Sequence, residues 1–141
     1  MMSIEQAISI ALEAHKGQKD LDGQPVILHP LSVGLKGETQ DEKIVGILHD
    51  VVEDSNFTFD DLEKMGASGD VLSALRILTH EKAMSYDEYV HRIVSSGNML
   101  AIHVKMNDLN HNLSRNDRST EHKEKVYQKH LKAIEYIKKN L

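Results

Sequence analysis

A chain of 141 residues with 40% hydrophobic and 28% charged side chains has the make-up of one globular domain with a real core, spanning residues 1–141. The absence of cysteine excludes disulfides and thiolate metal sites, and the lack of any apolar run of about 18 residues excludes a membrane-spanning helix. A net charge of −5 argues against nucleic acid as the main partner, and an N-terminus without the basic and apolar stretches of a signal peptide predicts a cytoplasmic location.

Ser3 followed by Gln6 is a capping-box pattern, and Ile4, Ile8, Ala11 and Leu12 recur at helical spacing, so a helix is expected over residues 4 to 16, ended by Gly17. A polar loop follows from Gln18 to Pro25, with a turn at Asp22-Gly23. Pro30 suits a helix's first turn and disfavours a helical conformation at the residue before it, which puts His29 at a helix entrance. Leu31 and Val33 give that short helix its apolar side, and Gly34 and Gly37 are expected to stop it. Residues 41 to 53 read as a central core helix, apolar nearly all round through Ile44, Val45, Ile47, Leu48, Val51 and Val52. Thr58 with Asp61 opens a short helix to Gly66. Asp70 is the expected cap of the next, which carries Val71, Leu72, Leu75 and Leu78. Ser85 with Glu88 opens another, running to Gly97. A long helix is expected over 99 to 113, and a last one carries the stripe Val126, Tyr127, Leu131, Ile134 and Ile137. No segment alternates with period two, so the expected fold class is all-α, with seven to eight helices.

The polar residues that interrupt this pattern carry the chemistry. Within Leu48-His49-Asp50-Val51-Val52-Glu53-Asp54, a helix would put His49 and Glu53 on one face and Asp50 and Asp54 on the next. A second polar island lies on the helix at 99 to 113, where Lys105, Asp108 and Asn112 share a face. An aspartate in an apolar helix needs a partner, either a cation such as Lys105 or a metal ion. His29, His49, Asp50 and Asp108 would together offer two imidazoles and two carboxylates, a set suited to a first-row divalent ion. Glu53 and Asp54 would then orient or deprotonate a metal-activated water and protonate a leaving group. Of the other histidines, His111 could touch this site but reads better as a packing residue, and His15, His80 and His130 read as structural or surface groups.

The segments Ala14-His15-Lys16-Gly17-Gln18, Pro25-Val26-Ile27-Leu28-His29-Pro30, Leu48 to Asp54, and Lys105-Met106-Asn107-Asp108-Leu109-Asn110-His111-Asn112 occur in the order found in the HD-domain hydrolases of the RelA/SpoT-homologue type, which the chain resembles over residues 5 to 137. The small single-domain alarmone hydrolases are the group it is most similar to. The resemblance implies an all-α HD fold and one Mn²⁺ on His29, His49, Asp50 and Asp108, with Glu53 and Asp54 as the catalytic pair. It also implies hydrolysis of the 3′-pyrophosphate of guanosine tetra- and pentaphosphate, with Lys19, Asn112 and Tyr127 touching the nucleotide. The partner is thus a small nucleotide, with no nucleic acid or membrane involved. Gln18 stands where the family usually has an arginine that helps hold the base. Val26, Leu28 and Leu109 also depart from frequent tyrosine, asparagine and arginine. These positions bear on the nucleotide and leave the metal and the catalytic pair untouched. They motivate a second reading, an HD phosphohydrolase acting on another nucleotide. A third is a catalytically weak, nucleotide-binding HD domain.

Overall fold

The computed structural model describes all residues from Met1 to Leu141 and contains nine helices and no strand. They are α1 (Ile4–Ala14), α2 (Leu28–Leu35), α3 (Gln40–Leu48), α4 (Val51–Asp54), α5 (Phe59–Lys64), α6 (Gly69–Leu78), α7 (Tyr86–Ser95), α8 (Met99–Arg115) and α9 (Glu121–Lys139). The all-α class expected from the sequence is correct, and the one β-type pairing is an isolated bridge between Lys19 and Pro25 across the α1–α2 loop. No helix is long and apolar enough to cross a membrane.

Local chemistry sets most helix starts. Ser3 and Thr58 form complete capping boxes with Gln6 and Asp61, and Ser85 accepts from the Glu88 amide. Each side chain satisfies an amide that the helix cannot. Ser68, rather than Asp70, caps α6 by accepting from Val71. Asp70 sits inside the first turn, where its charge favours the helix N-terminus. The entrance of α2 also differs from expectation. The amides of Leu28 and His29 bond the carbonyls of Pro25 and Val26, so tight turns lead straight into the helix and His29 lies within it. Pro30 is tolerated there because first-turn amides have no helical acceptor.

Helix α3 is the hub. It packs on α1, α2, α6 and α8, burying Ile44, Val45, Ile47 and Leu48. The α2–α3 crossing is close because glycine meets glycine. A Cβ on Gly46 would lie 3.0 Å from the Gly34 Cα and N, and one on Gly34 would lie 2.6 Å from Ile47 Cγ1. Gly34 is therefore a contact surface inside α2, not its stop. The crossing brings together His29, carried on α2, and His49, which follows α3. Gly46→Ala is expected to cost about 1–3 kcal/mol, because backbone atoms cannot move aside as a side chain can. Urea unfolding measures it, and an unchanged midpoint would show that the crossing can relax.

The expected single helix over residues 41 to 53 is broken at His49-Asp50. His49 Nδ1 donates to the Gly46 carbonyl at 2.5 Å, the acceptor that a continuing helix would give to the Asp50 amide. Asp50 takes φ −105°, ψ 0°, and α4 restarts at Val51.

Candidate metal centre and active site

The break puts His49 and Asp50 where α2 and α8 meet α3. His29, His49 and Asp50 offer ligand atoms within 4.8 Å of one another. Asp108, from the middle of α8, brings Oδ1 to 2.8 Å from His29 Nε2 and 3.4 Å from His49 Nε2. All but Asp50 are buried, and its side chain is 30% exposed. These are the four residues that the sequence marked as ligands.

Their hydrogen bonds prepare the imidazoles for a cation. With the His49 Nδ1 proton given to Gly46, Nε2 is the ring nitrogen that faces inward. That nitrogen is buried and makes no hydrogen bond, although Asp50 Oδ2 stands 3.0 Å away, off hydrogen-bond geometry. A buried ring nitrogen without a hydrogen-bond partner, flanked by carboxylates, fits a divalent ion held by nitrogen and oxygen. His29 is aligned in the same way, with Nδ1 2.7 Å from His111 Nδ1 and Nε2 facing Asp108. Burial lowers the proton affinity of His29, and burial with the neighbouring His29 lowers that of His111. A contact between two ring nitrogens needs one proton, not two, and so suits this pair. His111 thus fixes the His29 ring, a contact that sequence spacing could not show because the two are 82 positions apart.

Electrostatics keeps the carboxylates ionised. Burial alone would raise Asp108, but Lys105 at 2.9 Å, the hydrogen bond from His29 and the nearby His49 imidazole hold it well below the usual carboxylate range. Burial likewise opposes ionisation of Asp50, and the His49 charge overrides it. Burial would also lower His49, but Asp50 and Asp108 raise it well above the ordinary histidine value. Lys105 is itself buried and pairs with Asp108, so the ion pair and the four-donor cluster coexist. Lys105→Met is expected to destabilise the metal-free protein by about 3–5 kcal/mol by stranding a buried carboxylate. Chemical denaturation in chelator measures it, and a loss under about 1 kcal/mol would show that Asp108 is supported without Lys105.

Glu53 and Asp54 end up on different sides of the break. Glu53 lines a cavity of about 110 Å³ with His49, Asp50, Lys105, Asp108 and Tyr86. Its Oε1 accepts from the His80 amide at 2.5 Å, and partial burial raises its pKa. Asp54 borders a second depression with Gln18 and Ser55, and its pKa is raised by partial burial and by Asp50.

Beside the centre lies a cleft of about 400 Å³ lined by Lys19, Asn112, Arg115, Lys123, Val126 and His130. Asn112 links the two. Its Nδ2 donates to Asp108 Oδ1 at 3.2 Å, while its Oδ1 accepts from Arg115 Nε and Nη2 at 3.2 and 2.8 Å. Lys19 and Asn112, expected from the sequence as nucleotide contacts, both border the cleft. Tyr127 does not line it. Its half-buried ring lies under the Arg118 guanidinium, 4.1 Å away. Arg115, Lys123 and His130 were not marked, although Arg115 follows Asn112 by three residues and shares its helix face.

No family model matches the chain. Among curated proteins, a chloroplast protein of Arabidopsis thaliana, provisionally named a GTP diphosphokinase, is 41% identical over 66 residues, 43% of this chain and 8% of the relative. The guanosine-3′,5′-bis(diphosphate) 3′-pyrophosphohydrolase of Aquifex aeolicus is 37% identical over 65 residues, 43% of this chain and 9% of its own. The bifunctional (p)ppGpp synthase/hydrolase SpoT of Escherichia coli is 35% identical over 66 residues, 44% and 9% of the two chains. The match thus spans under a tenth of each of these longer relatives. A solved structure of a metazoan SpoT orthologue that hydrolyses ppGpp superposes with a TM-score of 0.74 at 22% identity, covering 93% of this chain and 82% of that one. The chain is thus similar over part of its sequence to proteins of the RelA/SpoT type and shares its all-α fold with one of them over nearly its whole length.

Proposed function

We propose that residues 1–141 form a single HD domain that hydrolyses the 3′-pyrophosphate of guanosine tetra- and pentaphosphate, with Mn²⁺ held by His29, His49, Asp50 and Asp108. The observation that carries the reading is the unbonded, buried Nε2 of His49 beside Asp50 and Asp108, the latter joined through Asn112 to a cleft with cationic side chains. A divalent cation there would supply Lewis acidity to a water and to the phosphate oxygens. The chain's own groups do the rest. Glu53, with one oxygen fixed by the His80 amide, keeps its other oxygen free to take a proton from the attacking water. Asp54, of raised pKa, returns a proton to the departing 3′ oxygen. Water adds to the 3′-bound phosphorus, the bond from that phosphorus to the ribose oxygen breaks, and pyrophosphate leaves together with guanosine 5′-diphosphate from the tetraphosphate or guanosine 5′-triphosphate from the pentaphosphate. Lys19 and Asn112 hold the nucleotide in the cleft. Tyr127, turned under Arg118, would reach it only by moving.

One feature favours the second reading, another nucleotide as substrate. The cleft's cations are partly neutralised, Lys123 by Asp22 at 2.7 Å and Arg115 by Asp20 at 3.6 Å. A panel of nucleotides incubated with the Mn²⁺-loaded protein separates the readings. Pyrophosphate with guanosine 5′-diphosphate from guanosine tetraphosphate is the expected result. Orthophosphate released from other nucleotides, or binding without turnover, overturns it.

A further inference from the structure

Gln18 was set apart in the sequence as a position bearing on the base, yet its side chain does not border the cleft that Lys19 and Asn112 line. It points across the α1–α4 contact to the catalytic segment. Its Nε2 donates to the Asp54 carbonyl at 2.8 Å and to the Ala14 carbonyl at 3.3 Å. Its Oε1 meets His15 Nδ1 at 3.0 Å. Two carbonyl acceptors fix which end of the amide is nitrogen, so the oxygen must face His15, and His15 Nδ1 must carry the proton. The imidazole is buried at 2% exposure, packed at the C-terminal end of α1. The pair is therefore locked at both ends.

What it holds is weakly held otherwise. Helix α4 has only four residues, and Asp54 is its last, so the Asp54 carbonyl lies beyond the reach of any helical donor. A helix of one turn has little stability of its own. We infer that Gln18, oriented by His15, is a positioning residue for Asp54, clamping the backbone of the α4 terminus so that its carboxylate keeps its place one turn after Asp50. This rests on the reading of Asp54 as a proton-handling group; the clamp itself does not.

The experiment compares Gln18→Glu, His15→Ala and His15→Asn with the wild type in the full chain, loaded with Mn²⁺. Glutamate keeps the shape but has no hydrogen to give the Asp54 carbonyl. Asparagine at position 15 can donate from nearly the place of Nδ1. Amide hydrogen exchange over residues 51–57 should quicken about tenfold or more in Gln18→Glu and His15→Ala, with the rest of the chain unchanged, and stay near wild type in His15→Asn. On guanosine tetraphosphate, kcat should fall roughly 10- to 100-fold in the first two with KM within about twofold, and recover in His15→Asn. Unchanged exchange at 51–57, or failure of asparagine to restore it, overturns the clamp. An inactive wild type with the expected exchange pattern overturns the proposed reaction and leaves the clamp standing. Normal exchange loss with undiminished kcat overturns the link to Asp54.

Discussion

His49→Ala is expected to remove divalent metal and turnover together. The side chain is buried, its Nδ1 is committed to Gly46, and its Nε2 is the one centre nitrogen with no hydrogen bond. Nothing nearby can replace it, since the backbone break that presents it depends on the same ring. Losing a residue that merely supports a ligand costs about 10- to 100-fold in metal affinity. Loss of the ligand should exceed about 100-fold, and turnover should fall by roughly a thousandfold or more, given the several kcal/mol that a cation contributes. Titration calorimetry with Mn²⁺ and a turnover assay measure both. Retained affinity with retained turnover would remove His49 from the centre.

Glu53→Gln should do the opposite to the metal and nearly the same to the reaction. Glu53 is outside the group of three mutually close ligands, and its ordered oxygen is spoken for by the His80 amide. Glutamine keeps the shape and one acceptor oxygen but cannot take a proton. Metal content should remain at wild-type level while kcat falls about 10²- to 10⁴-fold, the span of general acid–base catalysis. Loss of metal in this variant would make Glu53 a ligand instead, and a kcat within about threefold of wild type would leave proton transfer to another group.

The legible and illegible parts of the chain differ in range. Capping at Ser3, Thr58 and Ser85 was readable because side chain and amide are three residues apart, and the long apolar stripes of α8 and α9 because each repeats over several turns. The cluster of His29, His49, Asp50 and Asp108 was readable because charged groups sit where a core should be apolar. The break at His49-Asp50 was not, because apolar periodicity runs through it unchanged and only a ring-to-carbonyl bond interrupts the helix. That break sends Glu53 and Asp54 to different depressions, although a continuous helix would have kept all four groups on adjoining faces. The His29–His111 contact and the reach of Gln18 to Asp54 join residues 82 and 36 positions apart, beyond any local pattern. Tyr127 shares the apolar stripe of α9, but Arg118, held in a left-handed conformation at φ 56° and bonded to Glu124, folds over its ring.

Diffraction from crystals soaked in Mn²⁺, recorded for its anomalous signal, tests the centre most directly. One strong peak is expected between α2, α3 and α8, at about 2.0–2.2 Å from His29 Nε2, His49 Nε2 and carboxylate oxygens of Asp50 and Asp108, the range for nitrogen and oxygen ligands of a first-row divalent ion. A peak held by other residues, with these four donors still bonded only to one another, would contradict the account.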